Sequence, residues 1–139
     1  YKYITYNLAG EGNAGTKTTS RNFVKNNVNA TTLNQFIASK DIKAIDLIKI
    51  DTEGTEGAIL NSGKESIKQF KPIIICETLF ITIEVEIDNS FSDLEYEFYN
   101  HIDDGLKKVS TIKRTEDNGI RNCFFVPKSK LHLISEFVI

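Results

Sequence analysis

Methionine and tryptophan are absent from this chain of 139 residues, and proline, cysteine and histidine occur twice each. With no methionine there is no visible translation start, so the sequence reads equally as a processed chain or an excised domain. Two cysteines are too few for a disulfide framework. Cys76 and Cys123 each sit in an apolar, β-branched or aromatic run, which reads as buried free thiols in a reducing cytoplasm. His101 and His132 have no cysteine or carboxylate partner at ligand spacing, so no metal is expected. No apolar run approaches the roughly 20 residues that cross a bilayer, and no basic-then-apolar leader opens the chain. A net charge of −2 with the signs mixed argues against a nucleic-acid partner.

What is present is the composition of one folded domain: 40% hydrophobic and 26% charged residues. A chain of this length buries about two-thirds of its unfolded surface, enough for a core. Residues 1–8 alternate aromatic and β-branched side chains and read as a strand, followed by a glycine-rich turn and a second extended piece over 16–24. Thr32 is placed to cap a short helix carrying Leu33, Phe36 and Ile37. The apolar run 44–50 reads as a central strand, and a helix begins near Thr55 with Ile59 and Leu60 inward. Gly63 breaks it, and 64–70 is a further short helix. Pro72 opens a second buried strand, 73–76, ended by Glu77. Residues 79–87 read as a strand or extended loop. The spacing of Phe91, Leu94, Phe98 and Ile102 predicts a helix over 90–102, with a Ser92–Glu95 capping box and Gly105 at its C-terminal end. A terminal hairpin of 107–113 and 122–126 follows. Strand, helix, strand, helix and hairpin predict α/β layering on a mostly parallel sheet.

Gly10, Gly12 and Gly15 match the dinucleotide fingerprint in letters. That loop works by feeding a helix whose first amides face a pyrophosphate. The Thr16-Lys17-Thr18-Thr19-Ser20 that follows has poor helix propensity, and residues 30–40 hold no acid to grip a ribose. The glycines are read as a turn, and a nucleotide-binding enzyme is the least favoured function.

The informative segment is Lys49-Ile50-Asp51-Thr52-Glu53-Gly54-Thr55-Glu56, at the end of an apolar strand. It resembles the signature of the FkbM methyltransferase family. Four further blocks resemble that family in order: Thr32-Leu33 with Phe36 and Ile37 (Asn34 replacing the usual aspartate), Ile59-Leu60 with Gly63, Lys71-Pro72 through Glu77, and Asn122 through Pro127. The likeness spans about residues 31–127. It implies a partial Rossmann-like methyltransferase fold of strand order 3-2-1-4-5-7-6 with strand 7 antiparallel, and S-adenosylmethionine as methyl donor. Its substrate would be a hydroxyl of a sugar, glycan or small metabolite.

Ligands of open α/β sheets bind beyond the C-terminal strand ends, so Asp51, Glu53 and Glu77 are expected along one rim. Asp51 is the first choice for the general base that takes the acceptor's proton and Glu53 the second, with Glu77 as a substrate contact. Each has a bland alternative, since acids at a helix start cap it or complement its dipole. Lys49 is expected to pair with a nearby acid, and Asn122 to hold its own turn. The resemblance also implies a donor-binding half before strand 44–50, whose first strands are not found here. The chain is therefore expected to be a truncated domain, with residues 1–8 corresponding to the third strand and the edge of 44–50 open. On the alternative reading it is a noncatalytic interaction domain forming a homo-oligomer through that edge.

Overall fold

The computed structural model describes residues 31–139 except Glu53 and Thr82, together with three short strands in the first 30 residues. Those strands are β1 (Thr5–Leu8), β2 (Ala14–Gly15) and β3 (Phe23–Asn26), with β1 antiparallel between the other two. Strand β1 therefore does not pair with 44–50 directly. Gly15 lies in β2, Gly10 and Gly12 lie outside the described residues, and so does the stretch 16–22 that would have to form the helix of a dinucleotide loop.

The rest is an α/β unit built on a mixed five-stranded sheet. Its elements are α1 (Leu33–Ser39), β4 (Leu47–Ile50), α2 (Glu56–Ser62), α3 (Lys64–Phe70), β5 (Ile73–Glu77), α4 (Glu84–Ser90), β6 (Tyr96–Ile102), β7 (Gly105–Val109) and β8 (Asn122–Pro127). Helix α1 starts where the sequence places it: Thr32 Oγ1 accepts from Gln35 N at 3.1 Å, and Gln35 Oε1 accepts from Thr32 N at 3.3 Å. Gly63 ends α2 and starts α3.

The strand order is β4-β5-β8-β6-β7. Only β4 and β5 are parallel; β5–β8, β8–β6 and β6–β7 are antiparallel. The expected mostly parallel sheet is thus corrected to a mostly antiparallel one. The cause is β8, which enters between β5 and β6 and gives each an antiparallel neighbour. The expected terminal hairpin is corrected as well, because β7 pairs with β6 and not with β8.

Two segments differ from their sequence reading. Residues 96–102 form β6, not the end of a helix, and Phe91 and Leu94 belong to the turn before it. The helical spacing was carried by residues of two elements, and the aromatic content of Tyr96, Phe98 and Tyr99 suits a strand. Phe91 still joins the same core, with ring centroids 4.9 Å from Phe125 and 5.1 Å from Tyr96. Gly105 does need positive φ (146°), but as the first residue of β7, where a Cβ would stand 2.5 Å from the Phe137 carbonyl oxygen. Conversely, 84–90 is helix α4. Ile83, Val85 and Ile87 alternate in sequence, yet the buried positions are Ile83, Glu84, Ile87 and Ser90, a helical stripe.

One sheet face carries Ile50, Ile74, Cys76, Cys123 and Phe125, packed with Leu60, Ile67, Ile87 and Phe91. The opposite face packs Tyr99 and Val126 against Ile134 and Leu131 of the C-terminal 3-10 turns. Both cysteines are buried and free, as expected. No helix among the described residues is long and apolar enough to cross a membrane.

Glu84 is buried because Arg114 meets it. The two side chains form an ion pair with only 4% and 7% of their surface exposed. Arg114 also donates to the Thr78 carbonyl at 2.8 Å and to the Ile120 carbonyl, and lies over the Phe80 ring at 5.6 Å. It ties α4, the end of β5 and the segment entering β8 together. Removing one member of a buried pair strands the other charge, at a cost of about 3–5 kcal/mol. Arg114→Ala is therefore expected to lower unfolding free energy in urea by about that amount, and Glu84→Gln added to it to recover part. A loss under about 1 kcal/mol would show that the clasp is not structural.

Candidate functional site

Because β5 and β6 are both antiparallel to β8, they run the same way, and β4 is parallel to β5. The C-terminal ends of β4, β5 and β6 and the start of β8 therefore share one rim of the sheet. Register pairs Ile50 with Cys76, and Glu77 with Asn122. Asp51 and Glu77 thus follow the last parallel pair side by side, as the sequence reading requires. Glu53 lies outside the described residues.

Asp51 is half exposed, and its Oδ2 is 3.1 Å from Lys49 Nζ, the acid partner expected for that lysine. Lys49 Nζ also donates to Asn122 Oδ1 at 3.4 Å. Asn122 thereby ties β8 to β4 across the rim, where its own turn had been expected. Charge and amide form a continuous line from Asp51 through Lys49 to Asn122.

The turn between Asp51 and α2 is held by Glu56, whose importance the sequence reading missed. Glu56 is completely buried. Its Oε1 accepts from Thr52 N at 2.7 Å, Thr52 Oγ1 at 2.9 Å and Gly54 N at 3.2 Å, and its Oε2 from Gly54 N at 3.0 Å. Gly54 sits at φ 101°, so the tight turn needs a glycine. The signal was the Thr52–Glu56 spacing around that glycine, a carboxylate in a first helical turn reaching back to free amides, in the manner of a capping box. Asp51 does not cap α2, whose N-cap Thr55 makes no side-chain cap bond. The structural duty of this acidic motif falls on Glu56, and the Asp51 carboxylate stays on the rim.

Nucleophilic cysteine chemistry has no support here. Burial pushes the thiol of Cys76 well above the ordinary cysteine range and raises that of Cys123 too, away from the thiolate form.

The family model described as the methyltransferase FkbM domain matches residues 1–110. The chain belongs to the FkbM methyltransferase family. The match takes in residues 1–30 as well as the acidic motif, and it stops before β8, so the likeness at Asn122 to Pro127 lies beyond it. No curated protein and no solved structure matches the chain.

Membership of the FkbM family implies S-adenosylmethionine as donor. Among the described residues, the Thr52 and Gly54 amides at the end of β4 are engaged by Glu56 and are not free to hold its carboxylate or ribose. No step through the donor is derived from them. Asp51, Lys49, Glu77 and Asn122 line one rim of the sheet.

Glu56→Ala empties a buried site and leaves amides unsatisfied, which costs about 1–3 kcal/mol for the hydrogen-bonding groups alone. It is expected to lower the denaturant midpoint accordingly, whereas Asp51→Ala at the exposed rim is expected to shift it by less than about 0.5 kcal/mol. Equal effects of the two substitutions would reverse the division of labour described for this turn.

Proposed function

We propose that this chain supplies the acceptor side of an S-adenosylmethionine-dependent methyltransferase acting on a hydroxyl of a sugar or small metabolite. The observation that carries this reading is the Asp51 carboxylate, free of any capping duty and half exposed at the end of β4 beside Glu77. A strand order in which one antiparallel strand enters between two that run the same way supports the back half of a class I methyltransferase fold.

In this reading Asp51 takes the proton of the acceptor hydroxyl on a carboxylate oxygen, and the donor, when bound, would supply the methyl group and leave as the neutral thioether. Lys49, 3.1 Å away, sets the position of that carboxylate. Glu77 and Asn122, neighbours in register, orient the acceptor, and alignment supplies much of the acceleration. Glu53 follows in the same motif and is the second candidate for the base. Asp51→Asn, made in the protein at its natural length, is expected to reduce methyl transfer by about 10²–10⁴-fold, the range for loss of a general base, with the far-UV spectrum unchanged. Undiminished turnover would remove Asp51 from the chemistry.

A second reading rests on the edge of the sheet. Strand β4 ends the five-stranded sheet, and Leu47 on it is 57% exposed. An apolar edge strand invites pairing with another chain, so the chain would act as an interaction domain that associates with its own copies. Light scattering at rising concentration tests this. Dimers abolished by Leu47→Lys favour association through β4, and a monomer throughout eliminates it.

A further inference from the structure

Cys76 of β5 and Cys123 of β8 are the chain's two cysteines, and the strand register sets them directly opposite each other. Both are free and buried, and both belong to the core on the same face of the sheet. The hydrogen bonds show which kind of antiparallel pair they make. Thr78 N donates to the Arg121 carbonyl at 2.7 Å, so Thr78 and Arg121 form a hydrogen-bonded pair. Hydrogen-bonded pairs alternate along a ladder, so Glu77–Asn122 is not one and Cys76–Cys123 is. Opposite residues of such a pair have Cα atoms about 5.5 Å apart, inside the roughly 4.4–6.8 Å that a disulfide spans. Cβ atoms across strands stand about 4.5–5.5 Å apart, against a mean of about 3.8 Å in a disulfide, so a bond here draws the two strands together.

We infer that Cys76 and Cys123 form an oxidative modification site. Its co-reactant is a small-molecule disulfide of the oxidised-glutathione class, and its product is a reversible disulfide between β5 and β8. In the closed fold neither sulfur is a standing nucleophile. Cys123 Sγ is 3.2 Å from Asn100 Oδ1 and 3.3 Å from Thr78 Oγ1, and Cys76 Sγ is 3.3 Å from the Glu77 carbonyl. Access comes through the strand end. Only the Glu77–Asn122 and Thr78–Arg121 pairs lie between the cysteines and the rim, and ladder ends open at lower free energy than a core. Cys123 reacts first, because the Thr78 hydroxyl and the Arg114 charge oppose the effect of burial on it, whereas Glu56 and Glu77 add to that effect at Cys76.

The exchange balances without a further reagent. The Cys123 thiolate attacks one sulfur of oxidised glutathione, whose S–S bond breaks to release one glutathione thiolate. The Cys76 thiolate then attacks the Cys123 sulfur and displaces the second. The two released thiolates take up the protons that the cysteines gave, so two protein thiols are oxidised and one glutathione disulfide is reduced. Oxidation removes the S–H donors from Asn100 Oδ1 and the Glu77 carbonyl. It also ties the sheet one step inside the Glu77–Asn122 pair, so the state of the core reaches the rim. The site stands independently of the methyltransferase reading.

The experiment equilibrates the chain in mixtures of reduced and oxidised glutathione, once folded and once in denaturing urea. After acid quenching and alkylation, the whole mass and a peptide map report the state of each cysteine. The folded chain is expected to yield a species lighter by two hydrogens, with its Cys76 and Cys123 peptides linked until a reductant is added. The ratio of this species to the dithiol is expected to be at least about tenfold higher folded than unfolded, because the register holds within bonding range two sulfurs that the open chain seldom brings together. The oxidised chain then unfolds at a higher urea concentration than the reduced one, and the amide signals of Glu77, Asn100 and Asn122 shift. A ratio in the folded chain no higher than in urea would overturn the inference. So would thiols that both remain alkylatable in fully oxidised glutathione, or disulfides formed only between chains.

Discussion

Strand β8 pairs along both of its sides, with β5 from Ile74–Phe125 to Glu77–Asn122 and with β6 from Tyr96–Pro127 to Asn100–Cys123. Every feature of the rim depends on that double pairing. It forces β5 and β6 into one direction and brings their C-terminal ends level with that of β4. It also sets Asn122 directly beside Glu77. Arg114, buried against Glu84, anchors the segment that leads into this central strand by donating to the Thr78 and Ile120 carbonyls. A buried ion pair is weak evidence for net stability, but here it fixes the entry of a strand.

The acidic motif divides its labour by burial. Glu56 faces inward and spends its carboxylate on the turn's amides, while Asp51 faces outward with Lys49 as partner. A carboxylate committed to two backbone amides and a hydroxyl, and fully buried, is closed to an incoming substrate. One at a solvent-facing strand end, held by a single lysine, is open to an incoming hydroxyl. Sequence letters alone make these acids equivalent.

Local patterning was legible wherever one element supplied the whole pattern. The Thr32–Gln35 cap, the Gly63 break, the Pro72 start of β5 and the β-branched run of β4 were all readable, because capping, chain stiffness and alternation act over a few residues. The helix expected over 90–102 failed because Phe91 and Leu94 of a turn and Phe98 and Ile102 of a strand happened to fall at helical intervals. Helix α4 was missed because its stripe includes Glu84, which counts as polar in any pattern and is buried only by an arginine 30 residues away.

The sequence by itself determined the family, the acidic motif at a strand end, and the association of Asp51 and Glu77 with neighbouring parallel strands, since these follow from short-range order and strand polarity. Tertiary structure decided the mostly antiparallel sheet, the burial of Glu56, the Arg114 clasp and the tie from Lys49 to Asn122. Each of those joins residues far apart in the chain, and long-range pairing is set by what packs and hydrogen-bonds in the whole fold, which no local pattern encodes.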